Sequence, residues 1–357
     1  MTHLQFNAVA ALLCCYAFLM FAMFCLAASR ALAWRKRVRT SAAVLPAIRE
    51  ALVDYLAGSN DLTRLRQFVR TGRWNVADAM LEFQGTVGGA ARDRLCELTL
   101  DLGLLHKWCQ DASSEEVADR RTAMRRLAFA CAYEPCHRVS EDVLLEKLKD
   151  SDREVRLAAS RALLCGPIEE VERVFEMAVS QTLLIRVLLA EDLRPHALTL
   201  CQKMVPDTLH SPDPARIRAA LEIVTAWERA LPLSGLRPLL EHSDRRIRLL
   251  ALRLAPMVPP DAENEPAILG ALSGADPELR VAAARAAGRL GIEAAMPVLS
   301  QCVETGSAEV ARAAASSLAE MRVRGWAVLE SLAGHANPVV AGLAGDALTA
   351  ARSQARL

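Results

Sequence analysis

Three side chains able to bind a soft metal fall within seven residues of this chain: Cys131, Cys136 and His137. Thiolate and imidazole are zinc ligands, so a metal site is the first chemistry the residues suggest. Zinc wants four donors, and the sequence offers no evident fourth. Cys131 falls on an expected helix and Pro135 on an expected turn, which separates the two cysteines. The adjacent pairs Glu115-Glu116 and Glu169-Glu170 could share acid and base roles. On a helix, however, neighbours diverge by about 100°, so both pairs read as solvated faces. The seven histidines are scattered, and no Gly-Lys pair exists to build a phosphate loop. His-Glu-x-x-His, Gly-x-Ser-x-Gly and Cys-x-x-Cys are also missing. The sequence therefore assigns no catalytic residue, no metal and no cofactor.

The elements that would have to position any site are helices. Aromatics make up 4% of the chain and hydrophobic residues 52%, with Ala and Leu abundant, a skew toward helix formers. One pattern recurs: a small or acidic residue, a short gap, an aliphatic residue often followed by Arg, then an Ala-rich helix. It stands at Asp152, Val155, Arg156 and Ala159, at Asp244, Ile247, Arg248 and Ala251, and at Asp276, Leu279, Arg280 and Ala283. Weaker copies contain Ile185-Arg186 and Ile217-Arg218, and late ones contain Val310 and Val340. A degenerate early copy places Met124-Arg125 there. The aliphatic positions recur every 30 to 32 residues, room for two short antiparallel helices and their turns. Such a hairpin cannot bury its own apolar face, so neighbours must stack. Leu144 with Leu145, Leu236 with Leu239 and Leu240, and Ile268 with Leu269 and Leu272 mark first helices. The Asp or Ser of each turn is a natural N-cap for the second.

This pattern resembles the HEAT-repeat family, in the short form related to phycobilisome-lyase HEAT-like repeats. The family's Asp-x-x-Val-Arg-x-x-Ala core is matched by the three copies named above, and the resemblance covers about residues 112–350. It implies an all-α fold, an α-solenoid of about eight helical hairpins forming a HEAT-like superhelix. It also implies a ladder between adjacent turns, in which Arg156, Arg248 and Arg280 bind Asp152, Asp244 and Asp276. Second helices would line the concave side, bringing Arg161, Arg253, Arg285 and Arg289 to one face. That face is either a basic groove for an acidic protein segment or phosphate-bearing ligand, or an ordinary soluble surface with Glu partners.

Residues 8–28 are an uninterrupted run of 21 residues without charge. At about 1.5 Å per residue the run spans roughly 31 Å, the thickness of a bilayer core. A cleaved signal peptide is the rival reading, with Ala27-Ala28-Ser29 as its small-residue site. Arg30, Arg35, Lys36, Arg37 and Arg39 follow, with Trp34 where an interfacial aromatic would sit. Basic residues beside a span stay cytoplasmic, so a single-pass protein is expected, N-terminus outside and repeats inside. Residues 1–40 thus read as anchor and basic flank, and 112–357 as the repeat array. Between them, 41–111 read as a helical cap or divergent repeats, with helices over 46–57, 62–69, 76–83 and 95–108. The seven cysteines beyond the run are unpatterned, as in a reducing compartment.

Residues 1–40 carry no acidic side chain, so the remainder has a net charge of −4, which argues against nucleic acid. The expected function is a membrane-anchored, non-catalytic scaffold for protein partners at the inner face of the membrane, such as an envelope or exopolysaccharide-synthesis enzyme. The alternatives are a HEAT-like enzyme, of the bilin-lyase or DNA-glycosylase kind, and a tethered nucleic-acid binder.

Overall fold

The computed structural model describes residues 44–59, 61–83 and 86–355, together with Met20 and Met23. The apolar run 8–28, those two methionines apart, and the flank Arg30, Trp34, Arg35, Lys36, Arg37 and Arg39 lie outside the described residues. No described helix is long and apolar enough to cross a membrane. Every regular element among the described residues is helical.

The chain forms two compact units, Met1–Lys147 and Leu148–Leu357. The first contains α1 (44–56), α2 (Thr63–Phe83), α3 (Ala90–Asp101), α4 (Leu104–Ala112), α5 (Val117–Ala130) and α6 (Glu134–Lys147). Two expectations fail here. The helices expected over 62–69 and 76–83 are one continuous helix, α2. Its buried residues Leu65, Val69, Val76 and Met80 keep one helical stripe through Gly72, and a lone glycine costs only about 1 kcal/mol. The helix expected over 95–108 is two, because Gly103 adopts φ 65° and ends the run between α3 and α4. Helix α4 packs on α5 across residue 112.

The second unit is a series of hairpins. Its second helices are α7 (Arg153–Leu163), α9 (Leu183–Leu193), α12 (Pro214–Ala226), α14 (Arg245–Leu254), α16 (Pro277–Leu290), α18 (Ala308–Glu320) and α20 (Pro338–Gln354). Interleaved are the first helices α8 (Ile168–Ser180), α10 (Ala197–Lys203), α11 (Val205–Leu209), α13 (Arg237–Leu240), α15 (Glu265–Ser273), α17 (Met296–Thr305) and α19 (Arg322–Ala333). Each second helix packs on the next, from α7 to α20, and α13, α15, α17 and α19 do likewise, which makes two layers. The ruler residues Val155, Ile185, Ile217, Ile247, Leu279, Val310 and Val340 are all buried between them. Ala282, Ala283, Ala284 and Ala313, Ala314, Ala315 are buried where α16 meets α18. There the backbones come so close that a Cβ on Gly288 would lie 2.7 Å from the Ser317 Cα.

The early copy is out of register. Met124 is buried, but the N-cap of α5 is Glu116, five residues further from Asp152 than the ruler requires. Arg120, and not Arg125, donates there to the Ser114 and Glu115 carbonyls.

Candidate protein-binding groove

The turn before each second helix settles where the ladder residues go. Asp152, Asp244 and Asp276 are N-caps. Each accepts two backbone N–H bonds, from Glu154 and Val155, from Arg246 and Ile247, and from Glu278 and Leu279. The ladder arginines bind elsewhere than the resemblance implies. Arg156 donates to the Asp150 and Ser151 carbonyls at 2.7 and 3.0 Å. Arg248 donates to the His242 and Ser243 carbonyls at 2.6 and 3.0 Å. Arg280 reaches the Cys302 sulfur at 3.2 Å. The pairing with Asp is therefore corrected: each Asp is already held by helix N–H groups, and Arg156 and Arg248 fold back onto the turn entering their own helix.

Asp244 and Asp276 pair with the preceding repeat instead. Arg245 binds Asp276 and also Glu278, the latter at 2.8 Å, while Arg218 approaches Asp244 at 3.7 Å. The Arg245 guanidinium, followed by the backbone donors, holds the Asp276 carboxyl down to about 2. Desolvation pushes Asp244 up, but the N–H bonds of Arg246 and Ile247 and the charge of Arg218 outweigh it, so its pKa is lowered. Glu222 joins three repeats, lying 2.9 Å from Arg186 and 3.8 Å from Arg246.

The groove arginines divide. Arg161 is paired with Asp192 at 2.9 Å and lies outside the cavity that the other three line. Arg253, Arg285 and Arg289 share that cavity, a groove of about 490 Å³ across α12, α14, α16 and α18. Its floor is apolar, with Leu249, Leu252, Val281 and Ala282. Its rim is not purely basic: Glu222, Glu228, Glu278 and Glu309 stand among the arginines. Of the two readings of this face, the glutamates fit the surface with Glu partners, and the rim is of mixed charge rather than basic. Glu278 is engaged by Arg245 and, at 3.7 Å, by Arg253. Arg285 and Arg289, four residues apart and exposed, hold no ion pair within 4 Å among the described residues, but both act on Glu320 of α18, whose carboxyl desolvation pushes up and their charges pull down.

Two features escaped sequence reasoning. Leu183, Leu184, Val187 and Leu188 on α9 are exposed, a run of aliphatics longer than the buried Ile185 and Leu189 require. Glu228 takes φ 47°, left-handed, a property of the backbone that composition does not announce.

The metal candidates do not form a three-ligand cluster among the described residues. Cys131 ends α5, whereas Cys136 and His137 lie on α6. Cys136 donates its thiol to the Cys96 carbonyl at 3.4 Å and touches the Thr99 hydroxyl. Burial pushes the Cys136 thiol up and the Cys96 thiol to about 12, which disfavours the thiolate a metal needs. No cluster of three or more potential ligands occurs among the described residues.

The family model for HEAT repeats matches residues 233–319 and 264–349, so the stretch from α13 through most of α20 is built of HEAT repeats. No curated protein matches the sequence. Among solved structures, an engineered protein is similar over 87% of this chain and 96% of its own, with 18% identity and a TM-score of 0.37. Human deoxyhypusine hydroxylase in complex with glycerol is similar over 88% and 98%, with 16% identity and a TM-score of 0.30. A chain from the Kap95p–RanGDP structure is similar over 84% of this chain and 47% of its own, with 13% identity and a TM-score of 0.46.

Proposed function

We propose that this protein is a non-catalytic scaffold, held in a membrane by residues 8–28 with its repeats on the cytoplasmic side. It binds a membrane-associated protein in the groove across α12, α14, α16 and α18. An envelope enzyme, such as one that synthesises exopolysaccharide, is the partner this placement favours. The observation that carries the reading is the groove itself. It is an open surface built from four successive second helices, three of them within the stretch the HEAT model matches, with an apolar floor and a charged rim that includes two arginines without ion pairs. Stacked repeats supply long binding surfaces, and a tether raises the local concentration of membrane partners.

The test is recovery of partners from native membranes in mild detergent. R253E/R285E/R289E is expected to leave the melting temperature within about 2 °C, as for exposed substitutions, and to lose the co-purifying protein. Unchanged recovery from the charge-reversed protein overturns the groove. For the tether, a C-terminal reporter should give fluorescent GFP and inactive alkaline phosphatase. Active phosphatase overturns the placement.

A further inference from the structure

The described residues include only two non-glycine residues at positive φ, Glu228 at 47° and Arg322 at 54°. Both follow the C-cap of a second helix, Trp227 after α12 and Met321 after α18. After α16 the C-cap itself is the left-handed residue, and there the chain uses glycine, Gly291 at φ 67°. Glycine adopts this conformation without the steric penalty that a Cβ brings. Glu228 and Arg322 are charged residues where an uncharged, cheaper one would end the helix, and each lines a cavity: Glu228 the groove, Arg322 a second cavity of about 620 Å³.

The surroundings hold Glu228 in place. Just before it, Trp227 is fully buried and donates its indole N–H to the Ala190 carbonyl at 2.8 Å. Just after it, the buried Leu231 donates its backbone N–H to the Met257 carbonyl at 2.7 Å. Between these two pins the chain must turn, and the exposed Glu228 side chain is set on the groove rim. Strain retained by a well-determined neighbourhood points to a use for the side chain. Glu228 has no ion pair among the described residues.

The opposite charge waits two repeats away. Arg285 and Arg289 project from α16. Arg289 stands ten residues beyond its buried aliphatic residue Leu279, and Glu228 eleven beyond Ile217. Two helix spacings of about 9–10 Å put the sites roughly 20 Å apart. An extended chain covers that in about six residues.

Resting on the reading of the groove as a protein-binding surface, we infer that its occupant is an extended peptide segment of mixed charge. Acidic side chains meet Arg285 and Arg289, a basic side chain about six residues away meets Glu228, and the residues between them cross α14. A wholly acidic segment would leave Glu228 facing like charge, and a wholly basic one would do the same to the arginines.

The probe is a phage-displayed library of random peptides of about twelve residues, selected on the full chain in detergent micelles. Affinities of enriched peptides are then read by fluorescence anisotropy. Enriched sequences should pair an acidic with a basic residue five to seven positions apart. Glu228→Gly should weaken them about tenfold, the scale of one charge-assisted contact, while the melting temperature holds or rises. Glu228→Lys should shift selection from a basic to an acidic residue at that end. Peptides that carry only acidic residues, lose binding on R285E/R289E and ignore Glu228→Gly would overturn this inference and leave the scaffold reading standing. No enrichment, or peptides indifferent to both changes, would overturn both.

Discussion

Two rows of arginine run along the same second helices and have different work. Arg156, Arg248 and Arg280 follow the buried aliphatic residue directly, are half-buried, and hold turn carbonyls or a neighbouring sulfur. Arg161, Arg253 and Arg285 stand five residues further on and are exposed. Five residues turn a helix by about 500°, so the second row points roughly 140° away from the first. One row therefore faces the turn that enters its own helix and the other the open face. The same side chain is a structural strut or a binding element according to its phase, and composition alone does not separate the two.

The largest expected effect breaks the first row. Arg248→Ala removes two donors from the His242 and Ser243 carbonyls of a packed turn. Charge-assisted bonds of this kind are worth about 1.5–3 kcal/mol, so destabilisation near 2 kcal/mol is expected by denaturant unfolding. Arg253→Ala, on the same helix, should cost less than about 0.5 kcal/mol. Equal losses would erase the distinction between the rows. Next in size is the cap: Asp244→Ala exposes the Arg246 and Ile247 N–H groups and should cost about 1 kcal/mol, with Asp244→Ser recovering most of it.

A pH experiment sharpens the same contrast. Asp276 has a folded-state pKa of about 2, below its ordinary 3.8, because Arg245 and two backbone donors favour the carboxylate. Its contribution is therefore full above 3.8 and is lost as pH falls toward about 2. The melting temperature should drop across that window, and Asp276→Asn should flatten the drop. A variant that keeps the whole acid slope would assign it to other carboxylates.

Much of the fold was legible because burial leaves a periodic mark. Val155, Ile247, Leu279 and Val310 recur at a fixed spacing because each fills the same inter-hairpin site, and all are fully or nearly buried. The N-caps were legible for a local reason, a short oxygen-bearing side chain ahead of a helix. What failed depended on partners that spacing does not specify. The Arg–Asp pairing shifted by one repeat because the backbone N–H groups had already claimed the aspartates. The register of α5 was misplaced because Met124 is buried although the N-cap lies elsewhere. Glutamate partners for the groove arginines were expected, but not which ones, since Glu222, Glu278 and Glu309 come from different repeats.

The smallest expected effect is also the most discriminating. Arg285 and Arg289 lie four residues apart on α16, one turn from each other, with no ion pair for either among the described residues. Like charges at this spacing repel by a few tenths of a kcal/mol. The attraction of both arginines to the Glu320 carboxyl of α18 offsets part of that repulsion. Arg285→Ala should therefore stabilise the repeats slightly, by about 0.2–0.5 kcal/mol at low ionic strength. The gain should vanish in high salt, where the screening length falls to about 3 Å at 1 M. Denaturant midpoints of both proteins at low and high salt measure this. A loss of stability on removing Arg285 would mean that its side chain is a strut like Arg248, and the two rows would then be one.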